Sequence, residues 1–406
     1  MKVKAKAVRH QLTVLHVGTL NKPIGANQGY SPIETVIYNI DKGLVSRGVR
    51  SIVACSSDSH VVGEKHTTVD RGFGDYCQAD IRGGAKRKDH HLRKTLERCM
   101  KGDVDIVHMH EWMEHVYDGT FNPPLPIVMT LHVEAQNSGL GCILKSRDPR
   151  QGHPPVYYTA ISEYQRRDYS KLAHIYRVVH HGVDIKPMPL SPSSKEKEYL
   201  FSIGRITAVK GQDKAIQIAR KTGSKLIIAG CVQKKPEDLA YFESLKKSID
   251  LCVDVSRFDG EKNYYQNVLK PLLNSGKQVI YVGELNGAQK KVWYEHALGT
   301  LLPIQWGEPF GLVAIESMAN GTPVLGMNRG ALPEIVEHGR TGFIVNSVQE
   351  MMGRVKHLAM MDREVCHRHV HQHFSIDRMA QNYSIMYQHV IEEQQYKTPG
   401  LMCVQV

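Results

Sequence analysis

The chain has 406 residues, 41% of them hydrophobic and 23% charged, and at roughly 150 residues per domain it should hold two or three domains. This composition excludes a disordered chain, a collagen-like repeat and a small disulfide scaffold, and no apolar run approaches the roughly 18–20 residues of a membrane span. Fifty-two Lys and Arg against 41 Asp and Glu leave a net charge of +11, which favours anionic partners such as nucleic acid, acidic lipid surfaces or phosphorylated small molecules.

The basic opening, MKVKAKAVRHQLTVLHVG, runs straight into a strand pattern without a small-residue cleavage site, so it does not read as a secretory signal. LTVLHVG (12–18) is a buried-strand run, and Pro32 to Leu44 sets Ile33, Val36, Ile37, Ile40 and Leu44 at helical spacing. SIVAC (51–55) is the next strand. The densest basic patch, Ala85 to Lys101, repeats Leu92, Leu96 and Met100 at helical spacing. It reads either as an amphipathic helix in peripheral contact with an anionic membrane or as the solvated face of a surface helix, and so few apolar anchors favour the second. DIVHMH (105–110), PIVMTLH (126–132), YYTAIS (157–162) and RVVHHGVD (177–184) follow as strands. Strands separated by helical patterns predict βαβ units and a parallel sheet. The segment 186–198, rich in Pro, Ser and charge, reads as a linker.

A second alternation follows, with strand patterns at YLFSIGR (199–205), KLIIAG (225–230), QVIYVG (278–283), GTLLPI (299–304) and TPVLGM (322–327). From Ser375 to Glu393 the apolar residues fall on one helical stripe. The sequence therefore predicts an α/β protein of two doubly wound domains, 1–190 and 191–375, followed by a helix at 376–395. In open parallel sheets ligands bind beyond the carboxyl ends of the strands, which puts the site in the cleft between the domains. The eight cysteines, Cys55, Cys77, Cys99, Cys142, Cys231, Cys252, Cys366 and Cys403, include no C-x-x-C pair. They read as reduced thiols of a cytoplasmic protein rather than a disulfide framework or zinc site.

The strongest chemical signal is WGEPFGLVAIESM (306–318). Glu308 stands in a loop after a strand, and Gly311 opens a helix that contains Glu316. The unpaired N–H groups of Phe310, Gly311 and Leu312 and the positive end of the helix dipole make a natural anion site. At about 1.5 Å per residue the two glutamates lie at most roughly 12 Å apart along the axis, the scale of a nucleotide sugar. Arg205 and Lys210 share the loop SIGRITAVKG (202–211). Such a pair is more often surface charge, but two cations at a strand's end can neutralise a diphosphate. His132 ends the strand of TLHVEA (130–135) facing the expected cleft, where the competing reading is an ordinary hydrogen-bonded strand-end histidine.

These motifs resemble the retaining GT-B glycosyltransferases of glycosyltransferase family 4, and the resemblance extends over nearly the whole chain. Glu308 and Glu316 match the E-x7-E signature, the EPFGL and E-S-M-A-x-G-T-P-V context matches with them, and RGALPEIVEHGRTGF (329–343) continues the block. SIGRITAVKG is similar to the G-R-x4-K-G loop; YVGEL (281–285) is similar to the segment beside the nucleotide base; VVHHGVD (178–184) resembles N-G-V-D with His181 in place of Asn. The resemblance implies two Rossmann-like domains facing across a cleft, an N-terminal acceptor-binding one and a C-terminal nucleotide-sugar-binding one, with the closing helix crossing back to the first. It implies transfer of a hexose from a nucleotide diphosphate sugar, UDP-sugar first and GDP-sugar second, to a hydroxyl acceptor, with retention of configuration. The nucleotide sugar is then a substrate, with no cofactor and no metal. The residues implied for catalysis are Glu308, His132, Arg205 and Lys210. Phe310, Gly311, Leu312, Glu316 and Leu285 join Arg205, Lys210 and Glu308 in holding the donor. Gly25 and Gly29 fall in the acceptor or phosphate loop, where this chain has Ser31-Pro32 in place of a usual glycine pair.

Two other clusters invite a metal reading. HRHVHQH (367–373), among 22 histidines, offers His367/His371 and His369/His373 at i,i+4, but apart from Cys366 and Glu364 no Cys, Asp or Glu stands at a spacing that completes either pair, and these read as surface histidines. Asp103-Val104-Asp105 is a D-x-D motif, but it stands at the beginning of a strand, the edge away from the expected cleft. His108 and His110 point the same way along their strand and line the cleft without a catalytic role. Two other functions fit less well. A nucleotide-sugar epimerase on the same fold leaves the EPFGL block unexplained. A non-catalytic sugar- or nucleic-acid-binding protein fits the charge, but the aromatic-studded basic motif of a single-strand binder is missing, so no nucleic acid partner is expected.

Overall fold

The computed structural model describes residues 11–26, 29–73, 81–111, 113–135, 156–185 and 199–397. The expected linker at 186–198 lies outside the described residues, as do Cys77, Cys142 and Cys403.

The first sheet is built from β1 (Thr13–Val17), β2 (Arg50–Ser56), β3 (Glu64–Val69), β4 (Ile106–Met109), β5 (Ile127–Thr130), β6 (Val156–Ala160) and β7 (Ile175–Val178), in the spatial order β3-β2-β1-β4-β5-β6-β7. All its pairings are parallel. The central strands are buried along their whole length, as a parallel sheet covered on both faces requires. The second sheet comprises β8 (Tyr199–Ile203), β9 (Lys225–Ala229), β10 (Leu251–Cys252), β11 (Val279–Tyr281), β12 (Ala297–Leu302), β13 (Val324–Met327) and β14 (Gly342–Val345), in the order β10-β11-β9-β8-β12-β13-β14. It too is parallel throughout.

Three strands escape the sequence patterns. β3, EKHTTV, is an edge strand of mainly polar residues with only its last two buried; β10 has two residues and β14 four. The segment at 177–184 is not all strand: β7 ends at Val178, and the chain then turns so that Val183 pairs with the 374–376 segment, donating to Phe374 O at 2.9 Å and accepting from Ile376 N at 3.2 Å. The closing helix, Ile376–Lys397, lies against the helix Pro32–Ser46 and the first sheet. Its Met379, Tyr383, Met386, Tyr387 and Val390 are fully or almost fully buried. A Cβ on Gly43 would stand 2.7 Å from Ala380 Cβ, so glycine lets the two helices approach.

The basic helix, Ile81–Cys99, packs Leu92 and Leu96 onto the first domain's core, while Met100 just beyond it is 66% exposed. Its apolar stripe is thus occupied within the domain. Among the described residues no helix is long and apolar enough to cross a membrane. The histidine tract departs from expectation. It lies in the helix Arg363–His373, but His369 is buried, with Nε2 2.9 Å from Ile335 O and Nδ1 3.3 Å from Glu337, because this turn of the helix packs on the segment that follows Ala331.

Carboxylates and backbone groups bind the two domains together. Glu334 of the second accepts the first amides of the helix Glu163–Tyr169, from Glu163 N at 2.9 Å and Tyr164 N at 3.0 Å, where the dipole favours an anion. Ser162 Oγ donates to Pro309 O at 2.6 Å.

Candidate active site

The carboxyl ends of both sheets open on one cavity of about 690 Å³. Tyr30, His132 and His181 line it from the first domain and Arg205, Lys210, Gln233, Trp306, Glu308 and Phe310 from the second.

Local backbone chemistry sets the second wall. The loop after β8 carries Arg205 and ends in Gly211, whose φ is +73° and whose Cβ would meet Pro303 O at 2.1 Å. Only glycine fits there, and the turn holds Lys210 beside the loop after β12. Lys210 Nζ is 2.5 Å from Glu308 Oε2 and 4.9 Å above the Trp306 ring, while Trp306 Nε1 donates to the same carboxylate oxygen at 3.0 Å. Arg205 donates from Nη1 to Gln233 Oε1 at 2.9 Å, and its Nε is buried with no hydrogen-bond partner among the described residues. An orphaned guanidinium donor on a cavity wall suits an anionic ligand. Gly311, at φ +108°, caps the helix Leu312–Ala319; Ala314 N and Ile315 N donate to its carbonyl, while the N–H groups of Leu312 and Val313 ahead of them have no helical carbonyl to receive them.

The E-x7-E pair is divided by the structure. Glu308 is on the cavity wall, but Glu316 is not among the lining residues; Lys290 Nζ holds it at 3.0 Å and Tyr294 OH donates to it at 3.1 Å. Leu285 is buried and also off the wall. Gly25 is buried, and Gly29 lies under the carboxylate of Glu284, which would be 2.1 Å from a Cβ there. Glu284 Oε1 accepts the Tyr30 amide at 2.5 Å and lies 4.0 Å from Lys22. Sequence reasoning missed Glu284, Lys290 and Gln233; the first stood within YVGEL, but nothing in its spacing showed that it reaches across the cleft.

On the first wall, His132 Nε2 lies 3.2 Å from His110 Nδ1, and its ring stacks on His181 at 5.5 Å. Burial drives His132 down to about 3 and pushes the Tyr30 phenol up to about 12, so both are neutral. His110 stands one layer behind, and His108 is sealed in the core against Tyr383 and Tyr387. The D-x-D motif lies at the opposite edge of the sheet. Arg98 and Arg50 hold Asp103 and keep its carboxyl well below the usual range, and Asp105 Oδ2 accepts Thr13 N at 2.7 Å.

The glycosyl transferases group 1 model matches residues 188–369, and the Glycosyltransferase Family 4 model matches residues 33–186. The chain belongs to the group 1, family 4 glycosyltransferases. The chain is 26% identical over 285 residues to an uncharacterized glycosyltransferase of Methanocaldococcus jannaschii, an alignment covering 63% of this chain and 65% of that one. It is 24% identical over 273 residues to a D-inositol 3-phosphate glycosyltransferase of Pseudarthrobacter chlorophenolicus, covering 63% and 62%. The chain thus spans just under two thirds of the length of these two relatives. Sucrose-phosphate synthase from Thermosynechococcus elongatus has a similar fold, with a TM-score of 0.67 at 17% identity over 94% of this chain and 100% of that one. Anabaena HepE, solved with UDP and glucose, gives a TM-score of 0.65 at 16% identity over 93% and 100%. The architecture is therefore GT-B, two parallel seven-stranded sheets facing across a cleft.

Proposed function

We propose that the transferase moves a hexose from a nucleoside diphosphate sugar, UDP-sugar first and GDP-sugar second, to a hydroxyl acceptor with retention of configuration. The observation that carries this reading is the cavity wall on which Arg205, Lys210 and the opening of the Leu312–Ala319 helix converge. Two cations and a helix N-terminus match the charge of a diphosphate and its growth as the sugar–phosphate bond breaks. Glu308 is held by Lys210 and Trp306, which suits a sugar-orienting carboxylate better than a covalent nucleophile. The acceptor oxygen then attacks the anomeric carbon on the face the diphosphate leaves, and its proton passes to the departing phosphate oxygen. HepE, with a similar fold, binds UDP and glucose, which supports a UDP-sugar as the first choice.

A thermal-shift screen of UDP-, GDP- and ADP-sugars tests the donor class. A ligand at a hundred times its Kd adds about 2.7 kcal/mol of stability, so a UDP-sugar should raise Tm; no shift with any nucleotide sugar would count against the reading. The two glutamates separate by calorimetry with UDP. If the carboxylate that Lys290 and Tyr294 hold in place receives the ribose hydroxyls of the donor, Glu316→Ala should weaken UDP binding. Glu308→Ala should spare or tighten UDP binding, since it releases Lys210, while sharply lowering turnover. Equal losses of affinity in both variants would sink this division of roles.

Transfer is expected to need no divalent metal, since Arg205, Lys210 and the helix N-terminus would already balance the diphosphate. Activity should survive EDTA, and Asp103→Asn with Asp105→Asn should leave kcat nearly unchanged. Loss of turnover in EDTA, restored by Mn²⁺ or Mg²⁺, would contradict this.

A further inference from the structure

Histidines collect where the strands of the first sheet end. His16 on β1 is in register with His108 on β4, and the two-residue pleat puts His110 on the same face. His132 follows β5, with Nε2 3.2 Å from His110 Nδ1; His110 Nε2 is in turn 3.5 Å from His16 Nδ1. His108 stands apart from this chain of rings. Tyr387 OH and Thr130 Oγ1 engage its two nitrogens, both at 2.7 Å, and its ring packs 4.1 Å from His110. One ring nitrogen from each of His16, His108 and His110 lies within 4.8 Å of the others, but hydroxyls already hold both nitrogens of His108, and among the described residues no carboxylate joins the group. A dication there would be buried uncompensated, so the rings are a hydrogen-bonded chain rather than a metal centre.

Burial drives His16 to about 3 and His110 well below its ordinary value, so with His132 they form three neutral imidazoles, each with one donor nitrogen. Such a chain can place its protons in two orders. In one, His132 donates to His110, His110 to His16, and the last N–H is His16 Nε2. That nitrogen is buried with no hydrogen-bond partner among the described residues, and an orphaned buried N–H is the less tolerated kind of unsatisfied group. In the other order His16 Nε2 is a bare lone pair, His16 donates from Nδ1 to His110, and His110 donates from Nδ1 to His132 Nε2. The proton of His132 then rests on Nδ1, which has no protein partner among the described residues, on a side chain that lines the cavity.

We propose that His16 and His110 are positioning residues that lock His132 as its Nδ1–H tautomer, so that His132 enters the cleft as a hydrogen-bond donor to an oxygen of the bound glycosyl donor. The lock stands on the ring geometry; only the identity of the receiving oxygen rests on the function proposed above. The stack of His181 on His132 fixes the ring plane in which that donor points.

The test is nitrogen NMR of the full chain with ¹⁵N-labelled histidine, the His132 signals being identified from their loss in His132→Gln. The wild type should show a protonated Nδ1 and a bare Nε2 on His132. His110→Phe removes the donor and should shift the proton toward Nε2, with kcat for UDP-glucose falling roughly tenfold or more and KM changing less. His110→Asn, whose amide can donate from the place of Nδ1, should keep the tautomer and restore most of kcat. A His132 that is Nε2–H or doubly protonated in the wild type would overturn the lock, and so would an unchanged tautomer and kcat in His110→Phe. A correct tautomer in a protein that turns over no nucleotide sugar supports the lock and counts against the transfer reading alone.

Discussion

Lys210→Ala should lose more than tenfold in kcat/KM, and Arg205→Ala should do the same. A hydrogen bond between charged groups is worth about 1.5–3 kcal/mol, so loss of one that strengthens as the diphosphate departs lowers the rate by that factor. The two variants should differ in what they leave behind. Lys210→Ala leaves the Glu308 carboxylate, only 15% exposed, facing the cavity without its cation, so it should repel the nucleotide as well as slow the reaction. The double variant Lys210→Ala with Glu308→Ala should therefore regain UDP affinity over Lys210→Ala alone. Arg205→Ala leaves no such charge and should weaken UDP binding by the lost contact only. Near-normal kcat/KM in both single variants would show that this wall does not hold the diphosphate.

Gly330→Ala should be among the most damaging small substitutions in the second domain. Gly330 has φ +61°, and a Cβ there would fall 2.2 Å from both the N and the O of Glu308. The left-handed conformation alone costs an alanine about 1–2 kcal/mol, and the clash is with backbone, which cannot swing aside as a side chain would. The neighbours of Gly330 hold the same loop: Ala331 N donates to Glu308 O at 2.8 Å and Arg329 Nη1 to Gln305 O at 2.9 Å. The variant should thus lower Tm by several degrees and reduce kcat/KM at least as much as Lys210→Ala, because Glu308 and Trp306 move together. A variant with wild-type Tm and kcat/KM would show that the 329–331 turn does not position Glu308.

Much of this architecture was legible in the sequence because a parallel sheet buried on both faces leaves apolar runs such as LTVLHV and KLIIA. What was not legible is polar or distant. β3 carries Glu64, Lys65 and Thr67 exposed on a sheet edge, where water satisfies what a core would not. The motif around Glu308 and Glu316 was evident, yet eight residues of spacing could not show that one glutamate pairs with Lys210 and the other with Lys290. His369 was misread as a surface residue because its burial depends on a helix packing against a carbonyl from another segment. The His16–His110–His132 chain joins three strands and depends on register, which no local pattern encodes. Glu284 reaches across the cleft to the Tyr30 amide, a contact between domains that only the closed arrangement of the two sheets creates.

The most direct test of glycosyl transfer with retention is the configuration of a product that cannot mutarotate. With UDP-α-glucose as donor and methanol as a small hydroxyl acceptor, proton NMR should show UDP release matched by methyl α-glucoside, with both signals falling together in Lys210→Ala. Methyl β-glucoside as the product, or a yield unaffected by Lys210→Ala, would contradict a same-face transfer supported by this wall of the cleft.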